Sequence, residues 1–122
     1  TAINDALVQS YNLLSQSEAK SKVVILLTDG RDNASKVPLA DVKHMIEKRD
    51  IKLYTIGIGG SKDYDGKYLK SLAKAGRGKV YAARSAAMLS NIYSEINKLE
   101  ASQLDHKKII AHHRLYAYPL SL

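Results

Sequence analysis

An α/β fold on a parallel sheet is predicted by three features of this 122-residue sequence. Apolar runs of strand length alternate with segments of helical period, in the order α-β-α-β-α-β-α. The run Val23–Leu27 has no polar member, as in a strand covered by helices on both faces. Two of the strand-like runs end in turn-forming pairs, Asp29-Gly30 and Gly59-Gly60. Right-handed crossovers would put the second and third helices on one face of the sheet. The first and fourth helices are then expected to cover the other.

The first helix is expected over residues 2–16, where Ile3, Leu7, Tyr11 and Leu14 recur at helical spacing and Thr1 stands at the N-cap. Val23–Thr28 is too short for a helix between its polar flanks and is rich in branched side chains, so it reads as a strand. Pro38 suits the first turn of a second helix, which presents Leu39, Val42, Met45 and Ile46. A second strand runs from Ile51 to Ile58. Tyr68, Leu69, Leu72 and Ala73 mark a third helix closed by Gly76. Residues 79–83 make a third strand, and Ser85 caps a fourth helix carrying Met88, Leu89, Ile92, Tyr93, Ile96 and Leu99 on one face. Together these give a three-layer, Rossmann-like arrangement of three strands and four helices. Beyond about residue 100 the pattern fades. "HKKIIAHHRLYAYPLSL" alternates enough for a strand and is basic enough for a linker.

Composition narrows the chemistry. The chain has no cysteine, which excludes disulfides, thiol catalysis and zinc–thiolate sites. No apolar run reaches the roughly 18 residues of a membrane span. Net charge is +7 and unevenly placed: residues 62–84 hold seven Lys/Arg against two Asp, whereas the first 37 residues balance four against four. A basic segment of this kind fits nucleic acid, anionic lipid or simply a solvated face.

Ligands of open α/β sheets sit at the carboxyl ends of strands, where Asp29 stands directly after the first strand. Such a carboxylate is a metal ligand, a phosphoacceptor or catalytic group, or a turn residue. "TAINDAL" at Thr1–Leu7, "LLTDGRDN" about 20 residues on, "KLYTIGIGG" and "NIYSEINKLE" together resemble the von Willebrand factor A-type domain over residues 1–100. That resemblance implies a metal-ion-dependent adhesion site, with Thr1 and Asp29 as ligands of Mg²⁺ and Gly30, Asp32 and Asn33 in the partner-facing loop. The ion would take a carboxylate from an acidic residue of a partner protein, which is adhesion rather than catalysis. The family's Asp-x-Ser-x-Ser loop does not occur here, so the chain looks like the second half of such a domain with an incomplete, weak metal site. Asn4, where the family usually has glycine, reads as a minor departure.

The closing stretch, "INKLEASQL…RLYAYPLSL", resembles the segment that joins this domain to a membrane helix in the Bacteroides aerotolerance proteins. Residues 101–122 are therefore expected as a basic tail or juxtamembrane linker. The resemblance implies a membrane-anchored bacterial parent with the domain on the extracytoplasmic side, and residues 1–122 by themselves are expected to be soluble.

The alternative is a small receiver-like or nucleotide-binding α/β domain using Asp29 as its functional carboxylate. "GIGGSK" lacks the sixth-position glycine of a dinucleotide fingerprint and the Gly-Lys-Ser/Thr of a P-loop. Asp63, Asp65 and Gly66 are spaced as in a calcium loop, but Ser61 and Leu72 fill its first and twelfth positions, so a turn is expected. His106, His112 and His113 read as part of a solvated basic tail. Lysines beside Tyr64 and Tyr68 read as a wet face, not a nucleic-acid platform. No nucleophile–base arrangement supports an enzyme. Without the family's first strand, Val23–Leu27 is expected to be a sheet edge that pairs with a second copy in a homo-oligomer.

Overall fold

The computed structural model describes residues 2–19, 21–101, 106–112 and 117–121. These form helices α1 (Ile3–Ser15), α2 (Leu39–Lys48), α3 (Gly66–Ala75) and α4 (Ala86–Glu100) and strands β1 (Ser21–Thr28), β2 (Lys52–Ile58), β3 (Arg77–Ala83), β4 (His106–His112) and β5 (Ala117–Ser121). The sheet order is β3-β2-β1-β4-β5. The first four strands run parallel, and β5 is antiparallel to β4.

Each predicted helix and strand is present, with ends shifted by a residue or two. Local chemistry explains the boundaries. The Asp65 carboxylate accepts from the Tyr68 amide to start α3, and the Ser85 hydroxyl accepts from the Met88 amide to start α4. Pro38 precedes α2 in an extended conformation, leaving Leu39 as its first helical residue. Ala2 occupies the N-cap of α1. Thr1, expected there, lies outside the described residues.

Two packed layers enclose the sheet. On one face, Ile3, Leu7, Tyr11 and Leu14 of α1 join Val42, Ile46, Leu69 and Leu72 against Val24, Leu26 and Leu53. On the other, Ile96 of α4, flanked by Leu89, Ile92 and Tyr93, covers Val23, Ile25, Leu27, Tyr54 and Ile56. The alternation along β1 thus feeds both layers. Placing α1 with α4 was incorrect. Handedness constrains a helix only when it crosses between two parallel strands of one sheet, and α1 precedes β1 without doing so. It shares the face of α2 and α3, with the Tyr11 hydroxyl donating to the Ile51 carbonyl at 3.2 Å.

The expectation that Val23–Leu27 forms an edge is also overturned. Residues 106–112, within the stretch read as a tail or linker, lie parallel beside β1 from Ser21↔His106 to Leu27↔His112. Both backbone edges of β1 are therefore paired, by β2 and by β4. Pairing with a second copy through Val23–Leu27 has no free strand to use.

Two glycines set the spacing of the far strands. At Gly78 a Cβ would fall on the Leu53 carbonyl, and at Gly57 it would fall into the Tyr64 ring. Gly78 sits where the β2–β3 register slips, between Leu53↔Arg77 and Thr55↔Val80, so three steps on β3 face two on β2. That is a β-bulge. Just before it, Arg77 has φ 60°, and its guanidinium donates to the Arg49 carbonyl at 2.7 Å.

Candidate functional site

The chain direction across the sheet reverses between β1 and β4, and crevices for ligands form at the carboxyl ends of strands flanking such a reversal. Asp29 leaves β1 at that place and is exposed. Thr28 just before it is buried; its hydroxyl donates to the Gly30 carbonyl at 3.2 Å and accepts from the Gly30 amide at 3.1 Å. The turn is thus closed on itself, and Asp29 projects from a fixed base.

The rest of the loop is tied to the start of α1. The Asp5 carboxylate, in the first turn of that helix, accepts from the Lys36 amide at 3.0 and 3.1 Å and from the Val37 amide at 3.0 Å. In return the Ser35 hydroxyl accepts from the Asp5 amide at 3.2 Å. Asp32 accepts from the Asn4 amide at 3.2 Å, the Ser35 amide at 3.1 Å and the Ala34 amide at 3.4 Å. Partial burial pushes the Asp32 carboxyl up. Hydrogen bonds from the Ser35 hydroxyl and from the Asn4, Ser35 and Ala34 amides outweigh that and hold it below the usual carboxylate value. Asp32 thus spends its lone pairs on closing the loop and on tying it to the start of α1.

Asn4 is a hub rather than a minor departure. It is buried, its side-chain amide donates to the Val37 carbonyl at 3.0 Å, and its side-chain oxygen accepts from the Tyr68 hydroxyl. A glycine at this position would leave that phenol and that carbonyl without these partners. Tyr68 also reaches Asp32 at 3.4 Å, and its phenol is held well above the ordinary tyrosine value, first by burial and then by the charge of Asp32. Asn4, Asp5, Ser35 and Tyr68 were not picked out from sequence as site residues. Asp5 in a first helical turn was the one available signal; the partners of Asn4 and Tyr68 come from loops more than 30 residues away.

Among the sequence-predicted residues, Asp29, Gly30, Asp32 and Asn33 share this one loop, while Thr1 lies outside the described residues. Octahedral Mg²⁺ requires about six oxygens. Of the two expected ligands, the described residues bring only the Asp29 carboxylate to this edge, and no group of three or more metal-ligating side chains occurs among them. That donor set does not by itself fit the ion. The calcium-loop look-alike is structural: Asp63 accepts from the Gly60 amide at 2.7 Å, closing the turn after β2, and Asp65 caps α3. Arg31 and Asp65 approach to 3.8 Å with both side chains about half exposed, so their pairing contributes little.

The model of the von Willebrand factor type A domain matches residues 1–95. A crystal structure described as an uncharacterized membrane-spanning protein from Vibrio fischeri is 28% identical, with a TM-score of 0.63 over 82% of this chain and 57% of that one. A von Willebrand factor type A protein from Catenulispora acidiphila is 32% identical, with a TM-score of 0.65 over 79% of this chain and 22% of that one. The chain therefore spans less than two thirds of either match. No curated protein sequence matches it.

Proposed function

Because the chain belongs to the von Willebrand factor type A family, we propose that it is a protein-interaction module whose contact surface is the Asp29 loop. One observation carries this reading: Asp29 is exposed at the carboxyl end of β1, on a loop that Asp5 and Asp32 fasten to α1. A pre-fixed loop binds without an ordering cost, which suits recognition. Gly30 and Asn33 flank the contact, and Asp32 holds its shape.

In the longer protein, an acidic residue of the partner would meet this edge through Mg²⁺, with Asp29 and Thr1 among its ligands. The chain alone has an incomplete donor set, so its own Mg²⁺ affinity is expected to be weaker than about 1 mM, a binding free energy of only about 4 kcal/mol. Titration calorimetry giving micromolar affinity that vanishes in Asp29→Ala would overturn the incomplete-site reading. Partner capture by the longer protein should fail in chelator; capture unchanged by chelator would count against the metal bridge. A receiver-like role would instead show covalent phosphorylation of Asp29 by a small phosphodonor.

Membrane anchoring of the parent on the extracytoplasmic side, as in the aerotolerance proteins, belongs to the same proposal. It is supported by the membrane-spanning description of the Vibrio fischeri match. No helix among the described residues is long and apolar enough to cross a membrane. Protease accessibility of the domain in intact spheroplasts tests the sidedness: digestion is expected, and protection would overturn it.

A further inference from the structure

Four of the seven basic residues in 62–84, Lys70, Lys74, Arg77 and Lys79, are gathered by the fold at one border of the sheet. Among the described residues β3 pairs only with β2, so its outer backbone edge is open. Arg77, Lys79 and Val80 are exposed along it. Between this edge and α3 runs a groove of about 370 Å³, lined by Lys70, Ala73, Lys74, Gly78, Lys79 and Val80. Its lining joins three lysines to Ala73, Gly78 and Val80. Neither of the salt bridges among the described residues involves Lys70, Lys74 or Lys79.

We propose that this border is a second docking site, separate from the Asp29 loop, for an extended acidic segment of another protein that adds a strand to β3. The repeat lengths match. Lys70 and Lys74 lie one helical turn apart, a rise of about 6 Å at about 1.5 Å per residue. Alternate residues of a strand lie about 6.6 Å apart on one face. A segment with Asp or Glu at every second position therefore puts successive carboxylates opposite successive lysines while its backbone meets the open edge of β3. Small apolar residues between them lie toward solvent, and Ala73 and Val80 leave room for the strand itself. Strand addition of this kind takes its affinity from main-chain hydrogen bonds and its selectivity from side chains at alternate positions. The register slip at Gly78 confines it to the regular half of the strand, Val80–Ala83.

The test uses the whole chain and a fluorescein-labelled octapeptide of alternating glutamate and valine, read by anisotropy at about 50 mM salt, where charge contacts are least screened. Saturable binding tighter than about 1 mM is expected. Lys70→Glu with Lys74→Glu, both exposed positions, should weaken it at least about tenfold, a loss of about 1.4 kcal/mol. The same peptide N-methylated at alternate residues should bind as weakly to the unaltered protein, and hydrogen exchange should slow at Val80–Ala83 with the unmodified peptide only. Equal binding of the N-methylated peptide, or of one with its glutamates in a single block, would show mere charge adsorption and overturn the proposal. Tighter binding of an oligonucleotide of similar length, or no saturable peptide binding, would overturn it too. None of these readouts depends on Asp29, so Asp29→Ala should leave peptide binding unchanged whatever becomes of the adhesion reading.

Discussion

Removing the Asp5 carboxylate should loosen the loop that presents Asp29, because the Lys36 and Val37 amides would lose their acceptor. Hydrogen bonds to a charged group contribute about 1.5–3 kcal/mol when sheltered and less when partly wet. Asp5→Ala is thus expected to cost about 1–2 kcal/mol in urea denaturation, with faster exchange of the two amides. Asp32 gives a second expectation, in pH. Its carboxyl is held below the ordinary value in the folded chain. The stability it contributes is therefore complete above the unfolded value of about 4. It is lost as pH falls through the lower folded value. Asp32→Asn should flatten that acid limb and leave the neutral limb's shape unchanged, as followed by thermal melts from pH 2 to 7. The position of Asp29 after a greasy strand was legible in the sequence, since an apolar run ending in Asp-Gly marks where a buried strand surfaces. The roles of Asn4 and Tyr68 were not, because they exist only once distant loops meet.

Helices and strands declared themselves by period, but their partners did not. An amphipathic stripe says that one face is buried, not which side of the sheet buries it, and so α1 was misplaced. Glu100 shows the same limit. It reads as a polar residue at the end of α4, yet it is buried, accepting from the Tyr54 hydroxyl at 2.7 Å and pairing with Lys52 at 3.2 Å. Burial, then the hydrogen bond to Glu100, raises the Tyr54 phenol above its ordinary value. Glu100→Ala would leave the phenol and the ammonium without that carboxylate, at an expected cost of about 2 kcal/mol, measurable as a lower denaturation midpoint. Gly78→Ala tests the other long border. Its methyl would strike the Leu53 carbonyl, a backbone atom that cannot rotate away, so β2 and β3 must separate. Overpacking of this kind costs about 1–3 kcal/mol, with exchange accelerating in β3 before β1.

For the molecule as a whole, the enclosure of β1 removes the strand edge on which the expected dimer rested. The chain should elute as a monomer, whereas removing residues 101–122 should expose the apolar β1 edge and drive association at about 100 μM, as read by light scattering. The sequence hid this because a central parallel strand normally reads as a continuous apolar run. "HKKIIAH" has only three apolar residues together, between basic and histidine flanks. Its placement beside β1 has a consequence in time. Ser21 pairs with His106 across 106 − 21 = 85 residues. A strand made early therefore waits for one made late. From the end of β1 at 28 to the start of β4 at 106 is a step of 78 residues. At about 5–20 residues per second, roughly 4–16 s of synthesis pass before that partner can leave the ribosome. Throughout that interval the most apolar strand of the protein has an unsatisfied edge, and contacts this distant also form slowly after release. Lesions in 106–112 would then register as chain lost to aggregation during synthesis, well before they register as a lower melting temperature.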